Sequence, residues 1–390
     1  MRKGWEYKKL GEVATFINGD RGKNYPSAKD FVESGVPFIN AGHLNNGIIS
    51  YDKMNYITIN KYNSLGSGKI IKNDILFCLR GSLGKYAIVA EDSMGAIASS
   101  LVIIRPFQNA DNRFIAHFLS SAKIKEYIAK NNNGSSQPNL SAKSVASFII
   151  PLPTLSTQLA IVSELDKINE LIRLKKEQLK DFDNLAQSLF YEMFGDPVEN
   201  EKGWEVKKLG EIAKSAIGLT YKPENVTEEL SGTVVLRSSN IQNSILDFND
   251  IVRVNVLVKE DKMVNDGDIL MCSRNGSFRL VGKVALIKGL KERMSYGAFM
   301  TIIRSPYNPY LFEYFKTPAF RQYLITGKTT TVNQITVKML NNLTLPLPPL
   351  SLQQLFAQRI EQIEREKSEV QKSIQDLETL LASRIQYWFE

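Results

Sequence analysis

The chain is written twice, and that repeat limits its fold more than any composition figure could. Gly4-Trp5-Glu6-Tyr7-Lys8-Lys9-Leu10-Gly11-Glu12-Val13-Ala14 returns as Gly203-Trp204-Glu205-Val206-Lys207-Lys208-Leu209-Gly210-Glu211-Ile212-Ala213, with nine of eleven positions identical. Phe38 to Leu44 lines up with Val235 to Ile241, Asp74 to Arg80 with Asp268 to Arg274, and Ser100 to Pro106 echoes Thr301 to Pro306. Ile150-Pro151-Leu152-Pro153-Thr154-Leu155-Ser156 matches Leu345-Pro346-Leu347-Pro348-Pro349-Leu350-Ser351. The ends of the two copies agree and the middles have diverged, as expected of a duplicated framework whose working surfaces have come to differ. At 390 residues the chain also exceeds the size of a typical single core.

After each Pro-Leu-Pro the pattern becomes that of a long helix, with Ser156 or Ser351 available as an N-cap hydroxyl. Ile161, Leu165, Ile168, Ile172, Leu179, Phe182, Ala186 and Leu189 recur at alternating steps of three and four. Phe356, Ile360, Ile363, Val370, Ile374, Leu377 and Leu381 do the same, in register with the first stripe. Each helix runs about 38 residues, or about 57 Å, and its narrow stripe needs a partner. It could pack on its own domain, but the charged flanks favour the two helices packing on each other, antiparallel. Short β-rich runs (86–90, 101–104, 232–236, 284–287) and amphipathic stretches (111–130, 309–324) fill the blocks between. The fold class expected is α+β, with two similar globular domains, two long antiparallel coiled-coil helices and internal pseudo-twofold symmetry. The boundaries read as a first domain 1–154, a helix 155–194, a linker 195–202, a second domain 203–349 and a second helix 350–390.

Charge divides along the same lines. The net charge is +8, and residues 1–155 carry 19 Lys and Arg against 11 Asp and Glu, residues 203–350 carry 19 against 13, and both helical segments and the linker are each at −2. Two separate basic blocks point to a polyanionic partner. No apolar run approaches the length needed to span a bilayer, and Met1-Arg2-Lys3-Gly4-Trp5-Glu6 lacks a signal-peptide core, so a cytoplasmic location is expected. Cys78 and Cys272 sit in apolar runs and read as buried thiols.

Catalytic motifs fail on inspection. The two histidines, His43 and His117, have no metal-ligand spacing around them, and no metal site or catalytic residue is expected. Gly81-Ser82-Leu83-Gly84-Lys85-Tyr86 lacks the spacing and hydroxyl of a P-loop. Asn308-Pro309-Tyr310 lacks one proline of the adenine-methyltransferase tetrapeptide and reads as a helix start.

The loops carry nucleic-acid chemistry instead. Arg80, Ser82 and Lys85 in one block, and Arg274, Asn275, Ser277 and Arg279 in the other, follow β-like runs and combine Arg with Asn, Ser and Gly. Arg21, Lys23, Asn24 and Tyr25 precede the first, and Tyr221 and Lys222 precede the second. Asn40 and His43, aligned with Arg237, Ser238, Ser239 and Asn240, and the later Gln137, Lys328 and Asn333 complete the DNA-contact candidates. Singly, each reads as readily as a surface turn; their recurrence in both blocks is what carries the signal.

The ordered set of a Gly-Trp-Glu…Leu-Gly-Glu opening, a variable domain ending in Pro-Leu-Pro, a long helix reaching Met193-Phe194-Gly195-Asp196-Pro197, and then the whole again resembles the specificity subunits of type I restriction-modification enzymes over nearly the entire chain. The resemblance implies two target recognition domains, each reading half of an asymmetric bipartite site on double-stranded DNA, with the helices as a spacer. It also implies two methyltransferase subunits and restriction/translocase subunits as partners, and S-adenosylmethionine, ATP and Mg on those partners rather than on this chain. Three alternatives stay open: a nuclease with an unrecognised site, a scaffold binding RNA or an acidic protein, and a specificity chain serving a fused methyltransferase and nuclease.

Overall fold

The computed structural model describes every residue except Met1, Lys3, Asn46, 132–137 and 327–332. The chain divides into two compact units, Met1–Glu177 with Gln371–Glu390, and Gln178–Val370. Each unit therefore contains one repeat, one half of the helix that follows it and one half of the other long helix.

In the first unit an antiparallel sheet runs in the order Ala14–Asn18, Leu101–Pro106, Ile75–Cys78, Tyr86–Ile88. All four residues of Ile75–Cys78 are buried, which explains an unbroken apolar run where an exposed strand would alternate. The two-residue period sorts them. Ile75, Phe77, Val102 and Ile104 face a core built with the helices, while Leu76, Cys78, Leu101 and Ile103 face a second core under the neighbouring loops and strands. A second sheet follows the order Ala96–Ile97, Val36–Ile39, Tyr56–Ile57, Phe31–Val32, with Ala96–Ile97 parallel to its neighbour. Glu6–Lys9 pairs antiparallel with Ile149–Leu152, so the repeated opening motif and the Pro-Leu-Pro close each domain together.

The second unit repeats this plan. Lys214–Ile217, Met300–Arg304, Ile269–Cys272 and Val284–Leu286 form one sheet, and Val226–Thr227, Arg253–Val254, Thr233–Leu236 and Met294–Tyr296 the other. Glu205–Lys208 pairs with Thr344–Leu347. A buried ion pair is duplicated with it. Arg105 donates through Nε and Nη2 to Asp74 at 2.7 and 2.8 Å, and Arg304 does the same to Asp268 at 2.7 and 2.6 Å. Each carboxylate also accepts a backbone amide, from Ile71 or Asn265, both at 2.8 Å. These pairs pin the turn before the central strand to the end of the adjacent one.

The expected helical stretch 111–130 is two helices, Asn112–Leu119 and Ala122–Asn131, broken at Ser120-Ser121; Asp111 caps the first by accepting from the amides of Arg113 and Phe114. The stretch 309–324 likewise divides into Asn308–Tyr314 and Pro318–Thr326. His117 is buried, with Nε2 donating to Asp166 at 2.7 Å, a structural role.

The long helices span Leu155–Phe194 and Leu350–Phe389, 40 residues and about 60 Å each. Their starts differ from the serine caps expected. Ser156 and Ser351 lie inside the first turn; Thr154 Oγ1 accepts from the Thr157 amide, and in the second helix the amides of Leu352 and Gln353 reach the Pro349 carbonyl. The buried Gln158 and Gln353 fold back on the carbonyls of Pro153 and Pro348 at 2.9 and 2.7 Å. Gly195, at φ 78°, ends the first helix, and Trp204 Nε1 donates to the freed Phe194 carbonyl at 2.8 Å.

Within the first unit Glu164 pairs with Arg384 and Lys176 with Glu378, so the helix halves run antiparallel. Within the second unit Lys367 reaches Asp183 at 2.8 Å, and the start of one helix meets the end of the other where the Phe356 ring centroid lies 4.9 Å from that of Phe194. Ile161, Leu165, Ile168, Ile172, Phe356, Ile363, Val370 and Ile374 are buried, and Leu179, Phe182, Ile360 and Leu377 half-buried. The stripe serves the domain cores as well. Ile161 and Leu165 join the first core, which Phe389 completes against Phe114 and Phe118; Phe356 and Ile363 join the second, with Phe190, Phe194 and Tyr310. Burying an aromatic anchor of that kind contributes about 2–3 kcal/mol.

Candidate nucleic-acid interface

Chain segments remote in sequence meet in the second unit around a concave groove enclosing about 860 Å³. Tyr221, Arg237, Ser238, Ser239, Arg274, Asn275 and Asn333 line it, together with Leu219, Thr220, Gly276 and the turn Gly297 to Met300. The framework explains the convergence. Arg237 follows strand Thr233–Leu236, and Arg274 lies just beyond Ile269–Cys272. The amides of Ser273 and Arg274 both donate to the Phe299 carbonyl, at 2.9 and 3.1 Å. Gly218 allows the strand before Tyr221 to press on this turn: a Cβ there would lie 2.2 Å from the Tyr296 carbonyl oxygen.

Among the described residues the groove lining contains no carboxylate. Asn275 Nδ2 donates to Ser238 Oγ at 3.0 Å, and Asn333 Nδ2 donates to the Gly276 carbonyl at 2.9 Å, fixing the amides. The Arg274 guanidinium carbon lies 5.2 Å from the ring centroid of Phe299, a residue 57% exposed. Arg237 donates through Nη2 to Asp250 at 2.8 Å, while its buried Nε has no partner among the described residues. A surface of cationic forks, neutral hydrogen-bonding groups and two aromatic rings suits phosphate oxygens and base edges.

Other candidates in this unit lie elsewhere. Lys222 is exposed and 3.5 Å from Glu224; Ser277 and Arg279 are exposed farther along the Arg274 loop. Asn240 is 1% exposed, accepting from the Arg237 amide and donating to the carbonyls of Asp247 and Asp250, which holds the turn that presents Arg237. Lys328 lies outside the described residues, as does Gln137.

The first unit presents equivalent loops with different chemistry. Arg21, Lys23, Arg80, Ser82 and Lys85 are exposed. Arg21 Nη2 reaches the Ser99 carbonyl at 3.4 Å and the Leu79 amide donates to that of Ser100, which places Arg21 and Arg80 on either side of one turn. Arg80 Nε donates to Asn139 Oδ1 at 3.3 Å. Asn24 is held by the Ser64 carbonyl and Tyr25 packs edge-on against Phe38. Asn40 accepts from the Gly42 amide, and buried His43 accepts from the Asn40 amide through Nδ1, so His43 does for this turn what Asn240 does for the other. Backbone amides of Gly22 and Gly66 hold the Asp20 carboxylate below the usual range, keeping this turn anchored by an anion. Burial pushes both Cys78 and Cys272 thiols up, away from thiolate chemistry.

Phe299 is the residue that sequence reading missed. Backbone pairing makes it the counterpart of Ser100, because Leu79 and Ser273 use the two carbonyls alike. An aromatic opposite a serine at the edge of an otherwise matched strand was the available signal. Pairing also makes Lys283 the partner of Lys85, since their carbonyls accept the amides of Cys272 and Cys78; the second loop is thus longer than the first, with Arg279 inside the added segment.

A repeated α+β domain carried on paired antiparallel helices, with a donor-rich groove beside the framework turns, defines a class of tandem nucleic-acid readers. The family model for the type I restriction modification DNA specificity domain matches this chain twice, over residues 2–181 and 201–379. The chain belongs to that family, whose work is DNA sequence recognition. It is 24% identical to the EcoKI specificity subunit of Escherichia coli K12 over 96% of this chain and 85% of the relative. It is 23% identical to the StySPI specificity subunit of Salmonella potsdam, over 99% and 88%. A solved chain from work on complex assembly and conformational transition of the type I R-M system shares the fold, with TM-score 0.63 and 21% identity over 99% of this chain and 97% of that one. The S subunit from M. genitalium does so with TM-score 0.54 and 14% identity, over 99% and 96%. Among the described residues no helix is long and apolar enough to cross a membrane.

Proposed function

We propose that this chain is the non-catalytic address of a type I complex, each unit reading one half of an asymmetric bipartite DNA site. The observation that carries the reading is the pair of matched frameworks with unmatched surfaces: Arg237 and Phe299 stand where Asn40 and Ser100 stand in the first unit, and the loop after Arg274 is longer than the one after Arg80. Two readers with different donors select different half-sites. Basic residues around them, including Lys23, Lys85, Lys222 and Arg279, give salt-dependent attraction to phosphates. The paired helices act as the spacer. Exposed Leu159, Leu171, Leu174, Leu185 and Leu355 on them offer apolar surface for methyltransferase and restriction subunits, which in this reading bring S-adenosylmethionine, ATP and Mg, and work on cytoplasmic DNA.

Co-expression with the methyltransferase subunit of the same genome in an unmodified host, followed by mapping of modified adenines, tests the proposal. One split motif is expected, and exchanging residues 1–150 for those of another family member should change only one half. A stable complex that modifies no motif, or a motif made of two identical inverted halves, overturns it.

A further inference from the structure

We propose that Arg274, laid on the Phe299 ring, is the guanine-reading side chain of the second unit; the inference rests on the DNA-reading function above. Its backbone is fixed on both sides, by the hydrogen bond its amide donates to the Phe299 carbonyl and by a β-bridge to Gln334. Its side chain, by contrast, is exposed and has no hydrogen-bonded partner among the described residues, so both N–H edges of the fork face solvent at the groove. Arg237, the other arginine lining the groove, is engaged with Asp250.

Stacking on an exposed aromatic holds a guanidinium flat and limits its rotamers while leaving its donors unpaired. A planar fork with two parallel donors fits the O6 and N7 acceptors of guanine in the major groove, a pair that adenine does not present. Phe299 serves this purpose better than it serves the fold, since the residue is more than half exposed where Ser100 suffices in the first unit. There Arg80 has no such ring beneath it among the described residues and already donates to Asn139. The clustering of Asn275, Ser238 and Tyr221 around Arg274 also favours a base edge over a lone phosphate.

The test uses the full chain in complex with its methyltransferase subunit. The wild-type motif is mapped first, and the half read by residues 203–349 is assigned by domain exchange. That half must contain a G·C pair; one without it overturns the proposal. Duplexes carrying 7-deazaguanine at each guanine of that half are then titrated. At one position the loss of N7 should weaken wild-type binding about 10-fold or more, while Arg274→Ala binds the natural site about 10- to 100-fold more weakly and is indifferent to the deaza substitution there. Arg274→Lys keeps the charge without the planar fork, so it should retain the wild-type salt dependence yet weaken the preference at that base pair; it also serves if the alanine variant unfolds. Phe299→Ala should give part of the same loss and add little to Arg274→Ala. Uniform weakening across all sequences with a salt slope smaller by about one would identify a phosphate contact and overturn guanine reading. An unchanged motif in both Arg274 variants would overturn it too. If the wild-type complex modifies no motif at all, the DNA-reading function itself fails, and this assignment with it.

Discussion

The two units agree where side chains point into the framework and differ where they point out of it. Asp74 with Arg105 and Asp268 with Arg304 make the same forked ion pair, Gln158 and Gln353 fold back on equivalent proline carbonyls, and Gly19 and Gly218 both lie against a carbonyl turn. On the groove side Asn40 becomes Arg237, Ala41 becomes Ser238 and Ser100 becomes Phe299, with an enlarged loop after Arg274. Duplication preserved what positions the loops and released what the loops display. A reader can therefore change its target without changing its fold, because the varied residues contribute little to the cores.

The comparison breaks most strongly if the shared ion pair is removed. Arg105→Ala and Arg304→Ala each leave a nearly fully buried carboxylate with only a backbone amide as partner, since Asp74 and Asp268 side chains are 0% and 3% exposed. Each variant is expected to lose about 3 kcal/mol of stability, below the upper range for buried pairs because the arginines are partly solvated. Denaturant unfolding followed by circular dichroism checks this, and a loss confined to one of the two variants would show that the duplicated geometry does not carry duplicated energetics.

A smaller effect is expected from the glycines, and here the units should separate. A Cβ on Gly218 would stand 2.2 and 2.3 Å from the carbonyl oxygens of Tyr296 and Gly297, whereas on Gly19 the nearest approach is 2.6 Å, to the Ala98 oxygen. Backbone atoms cannot rotate away, so Gly218→Ala should cost about 2–3 kcal/mol and Gly19→Ala about 1–2 kcal/mol. Thermal unfolding of the two variants side by side measures the order. Gly218→Ala should also shift the Phe299 turn and weaken DNA binding, which Gly19→Ala, lacking an aromatic there, should do less.

Much of this plan was legible in the sequence because the determinants are local and repeated. The opening motif, the Pro-Leu-Pro and the 3–4 stripe each recur in register, and seven of the chosen loop residues do meet in one groove. What escaped reading depends on direction and on distant partners. His43 and Asn240 are polar residues in loops, yet both turn inward to fasten their own turns. Phe389 belongs by spacing to a helix seam, but its ring is buried against Phe114 and Phe118 of the first repeat. Lys367 occupies the stripe position between Ile363 and Val370, where the apolar pattern is interrupted. It is only partly exposed, joined to Asp183 and Glu364, and a lysine so placed restricts the registers the helices can adopt.

The smallest expected effect sharpens the comparison at the helix ends. In the first unit Glu164 accepts from Arg384 and from Trp388 Nε1, and Arg2 lies over Trp5, Tyr387 and Trp388. In the second unit the positions matching Glu164, Arg384 and Trp388 are Arg359, Leu189 and Met193, so this ion pair has no counterpart there, and the nearby helix contact is the cluster of Phe190, Phe194, Phe356 and Tyr310, whose phenol is pushed up by burial. Hydrogen bonding from Arg384 holds the Glu164 carboxyl below its ordinary value. A depressed folded-state pKa adds stability that is fully present above the unfolded value near 4.3 and is lost as pH falls through the lower folded one. Acid should thus loosen the first unit's helix contact while leaving the aromatic contact of the second untouched. Glu164→Gln should be slightly less stable than wild type at neutral pH and converge with it as pH falls through the lowered folded-state value. Hydrogen exchange of amides near 164 and 384, set against those near 190 and 356 across that pH range, reads the difference. Equal acid sensitivity at the two ends would mean that the ion pair adds nothing beyond the packing around it.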